Sequence, residues 1–311
     1  MAAMMLAAST VFAASKKSIV CTTFPEYDWV LNILGKNASN FDVTLLQDKG
    51  TDLHSYQPSV QDLAKISTCD LFVYVGGESD EWVEDALKNA RNKNMLVINM
   101  MEVLGDAVRE EEIVEGMQAE DEHEHGHHHE EEAEYDEHVW LSLKNAAVIT
   151  QALSEAVIKL DGKNAAAYKA NTKSYIDSLS ALDSEFAKAA SLAKTKTLVF
   201  ADRFPFRYLV DDYGLKYFAA FAGCSAESEA SFETVVFLAK KLDELGLSSV
   251  LTIEKSDKKI AKTVISASKA KNQQILEMDS LQSVTQKDIA AGKSYLGAMK
   301  QNLETLKAAL K

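Results

Sequence analysis

Cysteine is scarce in this chain: Cys21, Cys69 and Cys224 are scattered through 311 residues. An odd, dispersed set cannot make a disulfide framework, so the three are read as buried thiols. Clusters of Lys and Arg are missing too, which excludes a nucleic-acid footprint and a polybasic membrane patch. The chain carries no HEXXH, GXSXG or GXXXXGKS, so it shows no sequence signature of a zinc protease, a serine hydrolase or a phosphate-cradling loop. No Gly/Ser-rich linker separates its halves. The apolar opening, MAAMMLAASTVFAA at 1–14, is too short to span a membrane. It has the apolar stretch and small residues of a secretory signal without the basic start, so residues 1–16 are read as a signal-peptide remnant and the protein as extracytoplasmic, periplasmic or cell-surface associated.

What is present suits a soluble α/β protein of two domains, with 47% hydrophobic and 26% charged residues. The net charge of -14 is local. Glu110 to His138 holds fourteen acids and no base, and elsewhere 33 acids balance 33 bases. Short β-branched runs alternate with helical patterns, the signature of parallel βα units. They fall at 18–24, 41–46, 71–77 and 95–100, then at 197–202, 217–223, 249–254 and 274–279. Four strands in each half predict two (βα)4-type lobes, at 17–160 and 195–311, with a cleft between them. Residues 161–194 contain no proline and place Leu179, Leu182 and Phe186 at helical spacing. A long rigid helix is expected there, limiting hinge motion.

Ligands of such sheets bind beyond the carboxyl ends of the strands, so polar residues there carry weight. His54 follows the second strand, His138 stands at the return from the acidic segment, and Asp202, Glu254 and Asp279 each end a run in the second half. Imidazoles from one lobe and carboxylates from the other make a metal site by ligand type. The other five histidines, His123, His125, His127, His128 and His129, crowd the acidic loop at 110–137. Such a tract has too little apolar surface to fold and is expected to be solvated, a comb that gathers divalent cations weakly at the cleft mouth.

At DLHSYQPS (52–59), DEHVWLSL (136–143), RYLVDDYGL (207–215), AESEASFETVVFLAKKL (226–242), LTIE (251–254) and LEMDSL (276–281), the sequence resembles the zinc and manganese substrate-binding receptors of ABC importers, cluster A-I type. The His-rich insert is similar to that of zinc members. The resemblance implies one ion clamped between two lobes, Zn(II) with Mn(II) as the alternative, and delivery to a membrane ABC permease by a monomeric receptor with no nucleic-acid partner. It implies His54, His138 and Asp279 as ligands, with Glu254 at an acidic position near the site. Where the family carries a further His or Glu ligand, this chain has Arg203, which offers no lone pair. Asp202, Glu227, Glu229 or a water then replaces that ligand, or Arg203 pairs with a carboxylate and the cleft binds a different or metal-chelated ligand. The reading from another class is a metal-dependent hydrolase built on the same His/Asp cluster.

Overall fold

The computed structural model describes residues 16–118, 134–225 and 229–311. The signal-like start, the five loop histidines (His123, His125, His127, His128, His129) and Glu227 lie outside the described residues. All eight runs read as strands are strands. The first half runs β1 (Lys17–Cys21), α1 (Phe24–Leu34), β2 (Phe41–Leu45), α2 (Val60–Thr68), β3 (Leu71–Tyr74), α3 (Trp82–Lys88), β4 (Leu96–Asn99) and α4 (Met100–Leu104). Helices α5 (Leu143–Leu160) and α6 (Ala165–Leu192) follow. The second half runs β5 (Thr197–Phe204), α7 (Arg207–Tyr213), β6 (Lys216–Ala222), α8 (Phe232–Leu245), β7 (Ser249–Ile253), α9 (Lys259–Ala267), β8 (Gln274–Met278), α10 (Gln286–Ala290) and α11 (Tyr295–Ala309).

Two all-parallel sheets result, in the orders β2-β1-β3-β4 and β6-β5-β7-β8. Their central strands read as unbroken apolar runs because both faces are covered by helices: Ile19, Val20 and Cys21 of β1 are buried, as are all five residues of β7. Strand β5 runs past its expected end. Its pairing with β6 slips between Phe200 and Arg203, so Asp202 lies inside an irregularity of the strand rather than at its end. Such a slip re-aims side chains.

Helix α6 begins four residues inside the expected 161–194 because Asp161 first closes a 3₁₀ turn at Gly162–Asn164. The Asp161 carboxylate accepts from Asn164 Nδ2 and from Tyr168 OH, each at 2.7 Å. The 28 residues of α6 extend about 42 Å. Tyr168, Tyr175, Leu179, Leu182, Phe186 and Ala190 are buried along one stripe. They pack against α1 and α5 of the first half and α11 from the chain's end. One continuous apolar core therefore crosses both halves, from Ile19 through Trp140 to Leu310. Trp29 meets Tyr295 edge-on at 5.1 Å between ring centres. No helix among the described residues is long and apolar enough to cross a membrane.

Candidate metal centre

Beyond β2 the chain turns through a 3₁₀ turn at Leu53–Ser55, capped by Asp52, whose Oδ1 accepts from His54 N at 3.1 Å. The buried Leu53 side chain pins the turn to the core and leaves His54 facing the cleft. One ring nitrogen is engaged: Nδ1 lies 2.8 Å from Ser79 Oγ and 3.4 Å from Glu137 Oε2. The other, Nε2, points inward.

His138 is fully buried at the start of the turn Val139–Leu141. Asp136 Oδ1 accepts from its backbone N at 2.8 Å and from its Nδ1 at 2.9 Å, which fixes the ring with Nε2 toward His54. A carboxylate on the non-ligating imidazole nitrogen is the usual orienting partner of a metal-binding histidine. Tyr208, from the second half, in turn holds Asp136 by donating to its carbonyl at 2.7 Å. The two Nε2 atoms end 3.2 Å apart. Tetrahedral zinc with Zn–N bonds of about 2.0–2.1 Å requires an N···N separation of roughly 3.3 Å. The pair is therefore spaced for a shared ion.

The second half brings a third side chain with a metal-donor atom close to the pair. Cys224 follows β6, and His54, His138 and Cys224 each place a donor atom within 4.8 Å of the other two. Gly223 permits the approach: a Cβ there would lie 2.9 Å from His138 Cε1 and from the Phe204 carbonyl. The Cys224 amide donates to Glu111 Oε1 at 3.3 Å. A cavity of about 440 Å³ opens on the group, lined by His54, Cys224 and five glutamates, Glu78, Glu81, Glu111, Glu134 and Glu137. Glu137 reaches in where Gly77, at φ 81°, leaves room, because a Cβ at that position would collide with the Glu137 carboxylate.

Electrostatics prepare the two imidazoles differently. Burial, and then the charge of His138, depress His54 to about 3, so its lone pair is free. His138 moves the other way: burial disfavours its charged form, but Asp136 and Glu137 outweigh that and raise it. Burial also raises Glu111 and Glu137, and Glu137 Oε2 makes no hydrogen bond.

The family model described as zinc-uptake complex component A, periplasmic, matches residues 19–309. The chain belongs to this zinc-uptake family. Zinc-binding protein AdcA of Streptococcus pyogenes serotype M3 is 31% identical over 304 residues, 96% of this chain and 57% of that protein. The high-affinity zinc uptake system protein ZnuA of Bacillus subtilis is 30% identical over 295 residues, 95% of this chain and 88% of that protein. The Zn(II)-bound ZnuA-like domain of Streptococcus pneumoniae AdcA superposes with a TM-score of 0.72 at 27% identity, over 95% of this chain and 99% of that one. The chain thus spans little more than half the length of the AdcA relatives it matches.

Within this zinc-uptake fold, His54 and His138 come together, and among the described residues Asp279, Asp202, Glu254 and Glu229 are not in the group of donors that closes with them. Arg203 pairs with a carboxylate, one of the alternatives its sequence position left open: Nη2 lies 2.7 Å from Asp52 Oδ2, and Nη1 donates to the Ser225 carbonyl at 3.3 Å. Burial pushes Asp52 up, but the charges of Arg203 and His54 hold it below the usual carboxylate range. With its amide turned to suit its neighbours, Gln282 donates to both Asp52 oxygens at 2.9 Å and accepts from His138 Nε2 at 2.6 Å. Asp279 is directed elsewhere. Its Oδ2 is 2.6 Å from Lys293 Nζ, and its Oδ1 caps Leu281 N at 2.9 Å.

Glu254 is engaged by the turn at Ser280. It accepts from Ser280 N and Ser280 Oγ, both at 2.7 Å, and the Ser280 carbonyl accepts from Trp140 Nε1 at 2.8 Å, tying the turn to the segment of His138. Asp202 accepts from Arg203 N at 3.0 Å and faces a different cavity, of about 430 Å³, with Asp52, Arg203 and Glu254. Burial raises Asp202. Glu229 is exposed. Cys224, read from sequence as one of three buried thiols, is only half-buried, unlike Cys21 and Cys69. The carboxyl-end rule that singled out His54 applies equally to Cys224, which follows β6. Asp136 and Glu137 stand directly before His138, where orienting carboxylates belong.

Proposed function

We propose that the protein is an extracytoplasmic receptor that captures Zn(II) between a first lobe (17–160) and a second (195–311), joined through residues 161–194, and hands the ion to an ABC permease. The observation that carries this reading is the 3.2 Å approach of His54 Nε2 to His138 Nε2, with His54 lining a glutamate-rich cavity. Once His138 has given up its proton and its Gln282 contact, two imidazoles suit zinc, copper or nickel, whereas manganese prefers oxygen donors. The core shared across α5, α6 and α11 supports closure of small amplitude over large domain rotation. Relatives named for zinc binding and zinc uptake favour a receptor over a hydrolase built on the same residues.

The five glutamates at the cavity mouth draw cations inward, and the His-rich acidic segment ends beside them at Glu134. Calorimetric zinc titration of the full chain, the His54→Ala variant and a variant lacking 120–134 tests the reading. One tight site should survive the deletion and disappear with His54. Tight stoichiometric binding by His54→Ala would remove the histidine pair from the function.

A further inference from the structure

We infer that Cys224 is the third protein ligand of the captured ion, so that this receptor holds its cargo in a two-imidazole, one-thiolate site selective for thiophilic divalent cations over manganese. The inference rests on the receptor reading and specifies the chemistry of its site.

Three observations lead to it. First, the cleft positions from which other donors would come are engaged by internal cations: Asp279 by Lys293 at 2.6 Å, and Asp52 by Arg203 at 2.7 Å. An incoming ion would have to displace an ammonium or a guanidinium to reach either carboxylate. Second, among the described residues the group that brings three metal-donor atoms within 4.8 Å of one another is His54, His138 and Cys224. Third, the backbone is shaped for that contact, since the Gly223 position has no room for a Cβ against His138.

The distances suit the assignment. Zn–S of about 2.3 Å and Zn–N of about 2.0–2.1 Å put sulfur roughly 3.5 Å from each nitrogen in a tetrahedron. Movement on the order of 1 Å from the present spacing completes the triangle and leaves the fourth position open to the cavity. Binding is a ligand exchange without redox change. The Sγ–metal bond forms as a metal-bound water departs, and the thiol proton passes to solvent. Thiolate selects zinc and similar borderline or soft ions, while manganese favours carboxylate and water.

Cobalt(II) reports the bond directly, because thiolate coordination adds a charge-transfer band in the near ultraviolet that nitrogen and oxygen donors do not give. The full chain, kept reduced, is titrated with cobalt(II) as wild type, Cys224→Ser and His54→Ala, and zinc affinity is measured by chelator competition. The other two thiols, Cys21 and Cys69, are buried in the core and cannot supply the band. The expected result is a charge-transfer band in wild type that is absent from Cys224→Ser, with zinc affinity reduced by more than roughly 100-fold, beyond the loss of a typical orienting partner. The zinc-over-manganese preference should narrow in the same variant. Wild-type cobalt binding without the band overturns the thiolate assignment and leaves the receptor reading standing. Failure of the wild type to bind cobalt or zinc overturns both. The wild-type spectrum decides the matter even if the serine variant does not fold.

Discussion

Replacing Asp136 with Asn should weaken zinc binding by a factor that shrinks as the pH falls. The carboxylate sits 2.9 Å from His138 Nδ1 and 2.8 Å from its backbone N, and it makes both contacts through one oxygen. Asn keeps an acceptor in that place, so the ring stays oriented, but it removes the charge that makes the imidazole a stronger donor. Loss of such an orienting partner typically costs about 10–100-fold in metal affinity, or roughly 1.4–2.8 kcal/mol. The same carboxylate also raises the proton affinity of His138 against the opposing effect of burial. In wild type the proton therefore competes with zinc from a higher pH than in the variant, where only Glu137 and Asp52 still oppose burial. Below the His138 pKa the wild-type apparent affinity falls by roughly tenfold per pH unit, while the variant holds until a lower pH. Chelator competition at about pH 8 and about pH 5.5 should give a large wild-type advantage at the first and a small one at the second, with matched melting temperatures confirming the fold. A wild-type advantage that is constant with pH, or absent throughout, would refute the orienting role of Asp136.

Burial raises Glu26 from 4.5 to about 7, so its neutral form stabilises the fold fully below about pH 4.5 and that contribution is lost as the pH rises through about 7. Glu26→Gln keeps the acceptor for Thr23 N and should be more stable by about 3 kcal/mol, roughly 5 °C in Tm, at pH 8 by scanning calorimetry, with no difference near pH 4.5. Tyr208→Phe removes the hydroxyl that accepts from Arg109 N at 3.0 Å and donates to the Asp136 carbonyl at 2.7 Å, and should lower unfolding stability by about 1–3 kcal/mol in denaturant titrations with unchanged m. Gly223→Ala should push His138 and the Cys224 loop apart, reducing zinc affinity by roughly tenfold while far-ultraviolet circular dichroism stays that of wild type.

The strands were legible because parallel sheets covered on both faces write themselves as apolar runs, and α6 because Leu179, Leu182 and Phe186 repeat at helical spacing. The ends were less so. The run at 71–77 stops as a strand at Tyr74, because the glycines after it turn the chain toward Glu137. The run at 197–202 extends to Phe204, because the slip that accommodates Asp202 is set by pairing with β6 rather than by local composition. Among the site residues, His54 and His138 stood out because seven histidines left few to explain. Cys224 did not, since a solitary cysteine after a strand reads as core. The family pattern also assigned Asp279 to the ion. Its partner Lys293 lies on the loop before α11, and Asp52 and Arg203 are 151 residues apart, so neither ion pair leaves a mark on the linear sequence.

The two sheets repeat one strand order, with β2 and β6 occupying the same edge place in their respective halves. His54 leaves the turn after the first of these and Cys224 the turn after the second. An ancestral doubling of a single four-stranded unit would produce this arrangement, with each copy bringing an equivalent loop to the meeting point. Exchanging residues in those two loops could then change which ion is carried while the frame of both copies is inherited intact.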